Sequence, residues 1–468
     1  MKSYKLWIAA VLLLGSSSCN KWFDVTPSTE MKADVLFSDE AGFRDALTGI
    51  YVLMSQKDAY GSELSMAYID VLAQTYDNVR SNAGHSYRDA ANYAYNETTE
   101  EARLLRIWKQ QYKAIANLNI LLDKADENRN VFTGNNYNVI KGEAYALRAF
   151  LHFDLLRLFG HSPQRGLERP AIPYVDAHTN VPFVQGTAGE VIAAILADLE
   201  EARALLKAVD PMGPALADDQ NGSLATGNRQ IRMNYYAATA LMARVHLYQG
   251  NKTSALEKAV EVIDSKLFPA FDAASVTGSG DYIFTSEHVF ALQISDLKTR
   301  YSDLFFPTID HATNPVALVL NNSQLNNIFP AGLNTDYRNN WFEAASGTTK
   351  RIAKYAYNVF IPLIKISEMY LIAAESEPDK DIAVTEYLNE LKIHRGLAPL
   401  DAPSTTTEML GQEIAAEYRR EFIGEGQLFY YYKRLDVQKL PTIAQFTDSD
   451  AVYSLPIPVS ESEFGIMR

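Results

Sequence analysis

The sequence predicts a mainly α-helical protein. We expect a scaffold of tetratricopeptide-like helical pairs, an α superhelix, interrupted in mid-chain by a large irregular and partly β insertion. Three observations carry this. Glu143 to Gly160, EAYALRAFLHFDLLRLFG, is apolar nearly all round at helical spacing, as a helix touched on several sides must be. Asn234 to Ser265 reads as two helices about a Gly250-Asn251-x-x-x-Ala255 turn. Ala243 and Ala259 supply the small residues that let paired helices approach closely. From residue 268 to 359 the helical period stops.

The elements follow in order. Phe37 to Gln56 is amphipathic through Phe43, Leu47, Ile50 and Met54, with Ser38 as the expected N-cap. A shorter helix is expected over Leu64–Leu72. Asp77 to Asn96 is polar and aromatic without period, a length of loop that is more often functional than not. Thr99–Asp126 is a long helix with Leu104, Ile107, Trp108, Ile115, Leu118 and Leu122 on its inner face. It forms a hairpin with the helix that starts at Asn135–Asn136 and carries the opening stretch. Arg148 with His152, and Asp154 with Arg157, share faces of that helix, and Gly160, a residue that can take the left-handed conformation, is expected to end it. Pro163, Pro170, Pro173 and Pro182 make the next segment irregular. Thr187–Val209 is helical. Helices resume at Pro362–Ser376, Asp381–Arg395 and Thr407–Gly426, and Tyr453–Arg468 is read as extended. Within the insertion, Tyr282–Thr285, Val289–Ile294 and Val316–Leu320 are β-like.

The N-terminus is a targeting segment. Lys2 and Lys5 precede the apolar run Leu6–Leu14, which is too short to span a bilayer, and small residues then lead to Cys19, the only cysteine. Cys19 resembles the lipidated cysteine of a bacterial lipobox, a resemblance that implies residues 1–18 as a signal peptide and 19–35 as a lipidated tether, and 36–468 is read as one domain. In that domain the scaffold is 36–267 and 360–468, and the insertion is 268–359. Removing residues 1–18 takes away two lysines and no acid, so the net charge of −14 becomes −16. Such a balance argues against a nucleic-acid surface, which needs a basic face.

No catalytic motif is present: the chain has no G-x-S-x-G, H-E-x-x-H, P-loop or G-x-G-x-x-G, and its eight histidines are scattered. No metal or cofactor is expected, and Asp218–Gly222 reads as a plain turn rather than a calcium loop. Arg419, Arg420, Glu421 and Glu425 read as ion pairs joining helices rather than as a site. What remains is aromatic. With 27 Tyr and 21 Phe, the chain has rings for sugar C–H faces, and its loops add the Asp, Asn and Arg that hydroxyls need. The expected ligand residues are Tyr76, Asp77, Asn78, Arg80, Tyr87, Tyr93, Tyr95 and Asn96 in the first loop. The insertion adds Tyr301, Tyr337, Arg338 and Trp341. Trp108 is set aside as a helix-core residue.

Several segments together resemble the SusD/RagB family of outer-membrane lipoproteins. Glu143-Ala144, Arg148-Ala149-Phe150 and Phe153-Asp154-Leu155 through Gly160 are similar to its most recognisable helix. Ile361-Pro362, Lys365-Ile366 and Glu368-Met369-Tyr370-Leu371 resemble a second signature, and Leu388–Leu391 with Arg395-Gly396 the helix after it. Arg419–Phe422, Glu425-Gly426 and Lys433–Leu435 resemble a third, and Leu455–Pro458 a closing motif. The resemblance implies a non-enzymatic, lipid-anchored protein at the cell surface of the outer membrane. It would bind oligosaccharides and hand them to a SusC-like TonB-dependent barrel transporter. The alternatives are a peptide-binding import lipoprotein and a repeat-type adaptor that binds only protein partners.

Overall fold

The computed structural model describes residues 33–214, 228–272, 280–305, 314–345, 347–440, 443 and 445–466. Cys19 with the signal peptide and most of the tether, and the Asp218–Gly222 turn, lie outside the described residues.

The protein is mainly helical and its scaffold is a stack of helix pairs. Thr98–Glu127 packs on Asn136–Phe159, which packs on Ala188–Leu206, then Tyr235–Tyr248, then Lys252–Asp264, and the last packs on Ile366–Ser376. The stack therefore runs from the first half of the chain into the second without passing through the mid-chain segment. Asn136–Phe159 sits at its centre: Leu147, Leu151, Phe153, Leu155 and Leu158 are fully buried, and so is the opposite face through Ala146 and Phe150. Its buried polar residues all have partners. Arg148 donates to both carboxylate oxygens of Asp198 at 2.7 Å, tying two helices together. Arg157 pairs with Asp154 one turn back. His152 pairs not with the Arg148 side chain but with its carbonyl, and burial lowers its pKa to about 3.

Between Tyr235–Tyr248 and Lys252–Asp264 the expected turn is in place: Gly250 takes φ +87°, and Ala243, Ala255 and Ala259 are fully buried between the helices. Elsewhere the expectations shift. The first helix is Glu40–Met54, capped by Asp39, whose carboxylate accepts from Gly42 N, rather than by Ser38. Only Tyr68–Leu72 of the second is helical, and Tyr453–Arg468, read as extended, contains the helix Val459–Phe464. Gly160 is not left-handed (φ −73°). It is glycine because a Cβ there would lie 2.8 Å from Leu156 O. The largest correction is Phe360–Lys365, read as the start of a helix at Pro362 and found as a strand. It pairs antiparallel with His288–Gln293, so the two ends of the mid-chain segment are stitched to each other at its root. Of the other β-like runs, Val316–Leu320 makes only an isolated bridge, Leu320 to Lys350, and Tyr282–Thr285 is turn and 3-10 helix.

Candidate ligand surface

Buried ion pairs fix the mid-chain segment to the scaffold. Arg338 reaches Asp336 (2.8 Å), Glu417 (2.8 Å) and Glu421 (3.0 Å), and all four side chains are fully buried. Arg395 joins Glu287 (2.7 Å) to Glu421 (2.9 Å). Lys365 bridges Glu421 (2.7 Å) and Glu425 (2.9 Å), and Lys354 pairs with Glu425 (2.6 Å) over the Trp341 ring. Glu421 and Glu425 thus join elements as the sequence suggested. The same contacts correct two of the expected ligand residues: Arg338 and Trp341 are wholly enclosed and belong to this network.

Four more expected rings are also internal. Tyr76 donates to Met66 O and packs on Phe305; Tyr87 donates to Glu63 and lies under Arg103. Tyr95 donates to Val452 O, and Tyr301 to Ile352 O. Each is buried with its hydroxyl occupied, so none presents a face to solvent. Asp77 and Asn78 are half-buried and act as splints: Asp77 accepts from Asn321 N, and Asn78 donates to Ala317 O while accepting from Val319 N. Tyr337 is half-buried against Phe271, and Asn96 is exposed on a different face, beside Pro456–Ser460.

These splints bring the first loop and the mid-chain segment together as one surface, and next to the seam the backbone is strained. Gln74 (φ +59°) and Tyr93 (φ +58°) both occupy the left-handed region, which costs a non-glycine residue of order 1–3 kcal/mol. They meet: the Gln74 amide donates to Ala91 O and to the Tyr93 hydroxyl, which itself donates to Leu72 O. Tyr93 is half-buried, and burial raises its hydroxyl above the ordinary range. Arg80 lies within electrostatic reach and donates to Asn92. A small hollow beside Gln74 is lined by Gln324, Arg419 and Tyr432. Arg419 is half-buried and, among the described residues, has no ion-pair partner. One ring, two guanidinium groups and several amides therefore converge at a strained point of the surface. The sequence marked Arg80 and Tyr93. It missed Gln74, Gln324 and Arg419, whose approach depends on contacts across 250 residues or more of chain, as between Gln74 and Gln324. Among the described residues no group of three or more His, Cys, Asp or Glu is placed to hold a metal.

A model of the family described as "Starch-binding associating with outer membrane" matches residues 21–247, and the model of the SusD family, SusD_RagB, matches residues 269–460. The chain belongs to the SusD/RagB family. The SusD-like protein P25 of Formosa agariphila is 22% identical over 309 residues, 65% of this chain and 54% of that one. The SusD-like protein P2 of the same organism is 25% identical over 64% of this chain and 56% of that one. The chain thus spans about half the length of the curated relatives it matches. Solved SusD-like structures agree in fold over nearly their whole length. A SusD-like carbohydrate binding protein from Bacteroides vulgatus has a TM-score of 0.71 at 17% identity, covering 91% of this chain and 96% of that one. A SusD superfamily protein from Bacteroides thetaiotaomicron has a TM-score of 0.70 at 21% identity, covering 92% and 99%. A laminarin binding SusD-like protein has a TM-score of 0.64 at 17% identity, covering 92% and 98%. The stacked helix pairs are therefore those of the SusD fold, and no helix among the described residues is long and apolar enough to cross a membrane.

Proposed function

We propose that this SusD/RagB protein binds oligosaccharides without catalysis and delivers them to a SusC-like TonB-dependent transporter in the outer membrane. The observation that carries the reading is the convergence of Tyr93, Arg80, Gln74, Gln324 and Arg419 at the seam between the first loop and the mid-chain segment. A half-buried ring with amides and guanidinium groups round it suits a sugar, whose C–H face needs a flat apolar partner and whose hydroxyls need both donors and acceptors. The names of the relatives that bind carbohydrate and laminarin support the ligand class. In this reading residues 268–359 are the insertion that completes the ligand surface on a scaffold of 36–267 and 360–468.

The test is calorimetry of the mature protein against panels of oligosaccharides and of peptides. Oligosaccharides are expected to bind. Tyr93→Ala is expected to weaken them about tenfold, which corresponds to about 1.4 kcal/mol, and Arg80→Ala with Arg419→Ala is expected to add to the loss. Binding of peptides alone, or oligosaccharide binding that ignores all three substitutions, would sink the reading. Surface anchoring through a lipid on Cys19 is part of the same proposal. Cys19→Ala is expected to move the protein from the outer-membrane fraction to the soluble one, and unchanged membrane recovery would remove the anchor.

A further inference from the structure

A groove runs along the Thr98–Glu127 helix on a face that the glycan reading does not use. Its far wall is the C-terminal segment from Pro456 to Ile466. Two hollows make it up, about 570 and 310 Å3, and they share Ile457 and Ser460. The floor of the larger is rigid. Trp108 stands edge-on to Phe159 at 4.8 Å and 87°, and Tyr112 donates its hydroxyl to Pro173 O at 2.8 Å, so its polar end is already engaged. The wall is held in place because Gln185 N donates to Ile466 O at 2.9 Å. Val459 (56% exposed) and Ile466 (46%) belong to the lining, Val184 (47%) pairs with Ile466 in an isolated bridge, and Val181 (68%) directly precedes Pro182 of the lining. A groove of this volume, rimmed by exposed aliphatic residues, marks an interaction site rather than ordinary surface.

Charge narrows the occupant. Lys109 and Lys113 stand one turn apart on the helix at the lip, both exposed, and among the described residues neither forms an ion pair. The protein carries −14 overall, so two unmatched cations side by side are set apart from the rest of its surface. The carboxylates of the lining are Glu461 on the opposite lip and Glu101 in the smaller hollow, about two turns back along the helix from Lys109. Trp108 is only 3% exposed and has no free face for a sugar, and the half-buried rings of the lining are Tyr112 and Phe183. We propose that this groove docks an amphipathic segment of a partner protein. Its apolar side chains fill the two hollows, and its carboxylates, spaced about one turn apart, meet Lys109 and Lys113. The proposal does not depend on the glycan reading.

The test is selection of a phage-displayed random peptide library on the mature protein, followed by fluorescence polarisation with the selected peptides. Peptides carrying Leu, Phe or Trp beside Asp or Glu are expected, with affinity that falls as salt rises. Lys109→Glu with Lys113→Glu, and separately Val459→Asp, are expected to weaken them about tenfold or more. All three positions are exposed, so the melting curve should not move. Oligosaccharide affinity should stay unchanged, which separates failure here from failure of the glycan reading. A selection that returns no binder, returns peptides without acidic residues, or returns peptides indifferent to these substitutions overturns the proposal. So does sedimentation that shows a dimer dissociated by the same substitutions, which would make a second copy the occupant. Loss of oligosaccharide binding in these variants would assign the groove to the glycan site instead.

Discussion

Replacing Glu421 by alanine is expected to remove about 3–5 kcal/mol of stability, the usual cost of breaking a buried ion pair from one side. Arg338, Arg395 and Lys365 all reach this carboxylate, and all are buried at 2% exposure or less. After the substitution Arg338 keeps Asp336 and Glu417, and Arg395 keeps Glu287, but Lys365 is left with Glu425, which it shares with Lys354. Two buried ammonium groups would then divide one carboxylate. Acid should act on the same network. The cations around Glu421 hold its carboxyl well below the ordinary range, and Arg338 and Arg420 hold that of Glu417 at about 2 against an ordinary 4.5, despite burial that pushes the other way. A depressed carboxyl contributes stability that is present above the unfolded-state pKa and is lost as pH falls through the folded one. For Glu417 that window is about pH 4.5 down to 2, and the shift is worth about 3 kcal/mol. Urea unfolding of the wild-type protein and of Glu421→Ala at pH 7, with a pH series down to 3, measures both effects. A loss below about 1 kcal/mol at pH 7 would mean that water reaches the network, for that is what an exposed pair contributes.

That network also shows where the sequence stops being legible. Helical period and the Gly250-Asn251 turn depend on neighbours within a few positions, so the helix pairs could be read directly, and Thr98–Glu127 falls within a residue of its expected bounds. Phe360–Lys365 could not be read in that way. Residues 361–365 are all buried, so both of its faces are apolar, and a short continuous apolar run does not distinguish a strand from a buried helix. The aromatic loop failed for a related reason. Without a period, nothing in the sequence separates Tyr87, enclosed by Glu63 and Arg103, from Tyr93, half-open beside Gln74. The helical stripe marks Trp108 correctly as buried, but the wall that makes a hollow beside it comes from Ile457 and its neighbours, some 350 residues later, which no local pattern shows.

Gly426→Ala is expected to cost about 3 kcal/mol, through two separable effects. Gly426 takes φ +73°, where an L-residue loses about 1–2 kcal/mol. A Cβ there would also lie 2.5 Å from Ile69 Cγ2 and 2.9 Å from the carbonyl oxygens of both Leu64 and Ser65. The Ile69 methyl can turn aside, but the two carbonyls are backbone, so the segments must separate at the usual overpacking cost of about 1–3 kcal/mol. What they would pull apart is specific. Asp70 accepts from Gly424 N and Gly426 N, so this contact joins the loop after Thr407–Glu421 to the short helix Tyr68–Leu72. That helix leads within two residues to Gln74, and its last carbonyl, on Leu72, receives the Tyr93 hydroxyl. The substitution should therefore weaken oligosaccharide binding as well as stability, although Gly426 is buried and cannot touch a ligand. Gly250→Ala is the matched control. Its φ is +87°, but no atom lies within 4 Å of the added Cβ, so it should lose only the conformational part, about 1 kcal/mol, and bind oligosaccharide as before. Equal losses in stability for the two variants, by urea unfolding, would show that the approach at Gly426 is not close. A destabilised Gly426→Ala with unchanged affinity would show that Asp70 supports the fold but not the ligand surface.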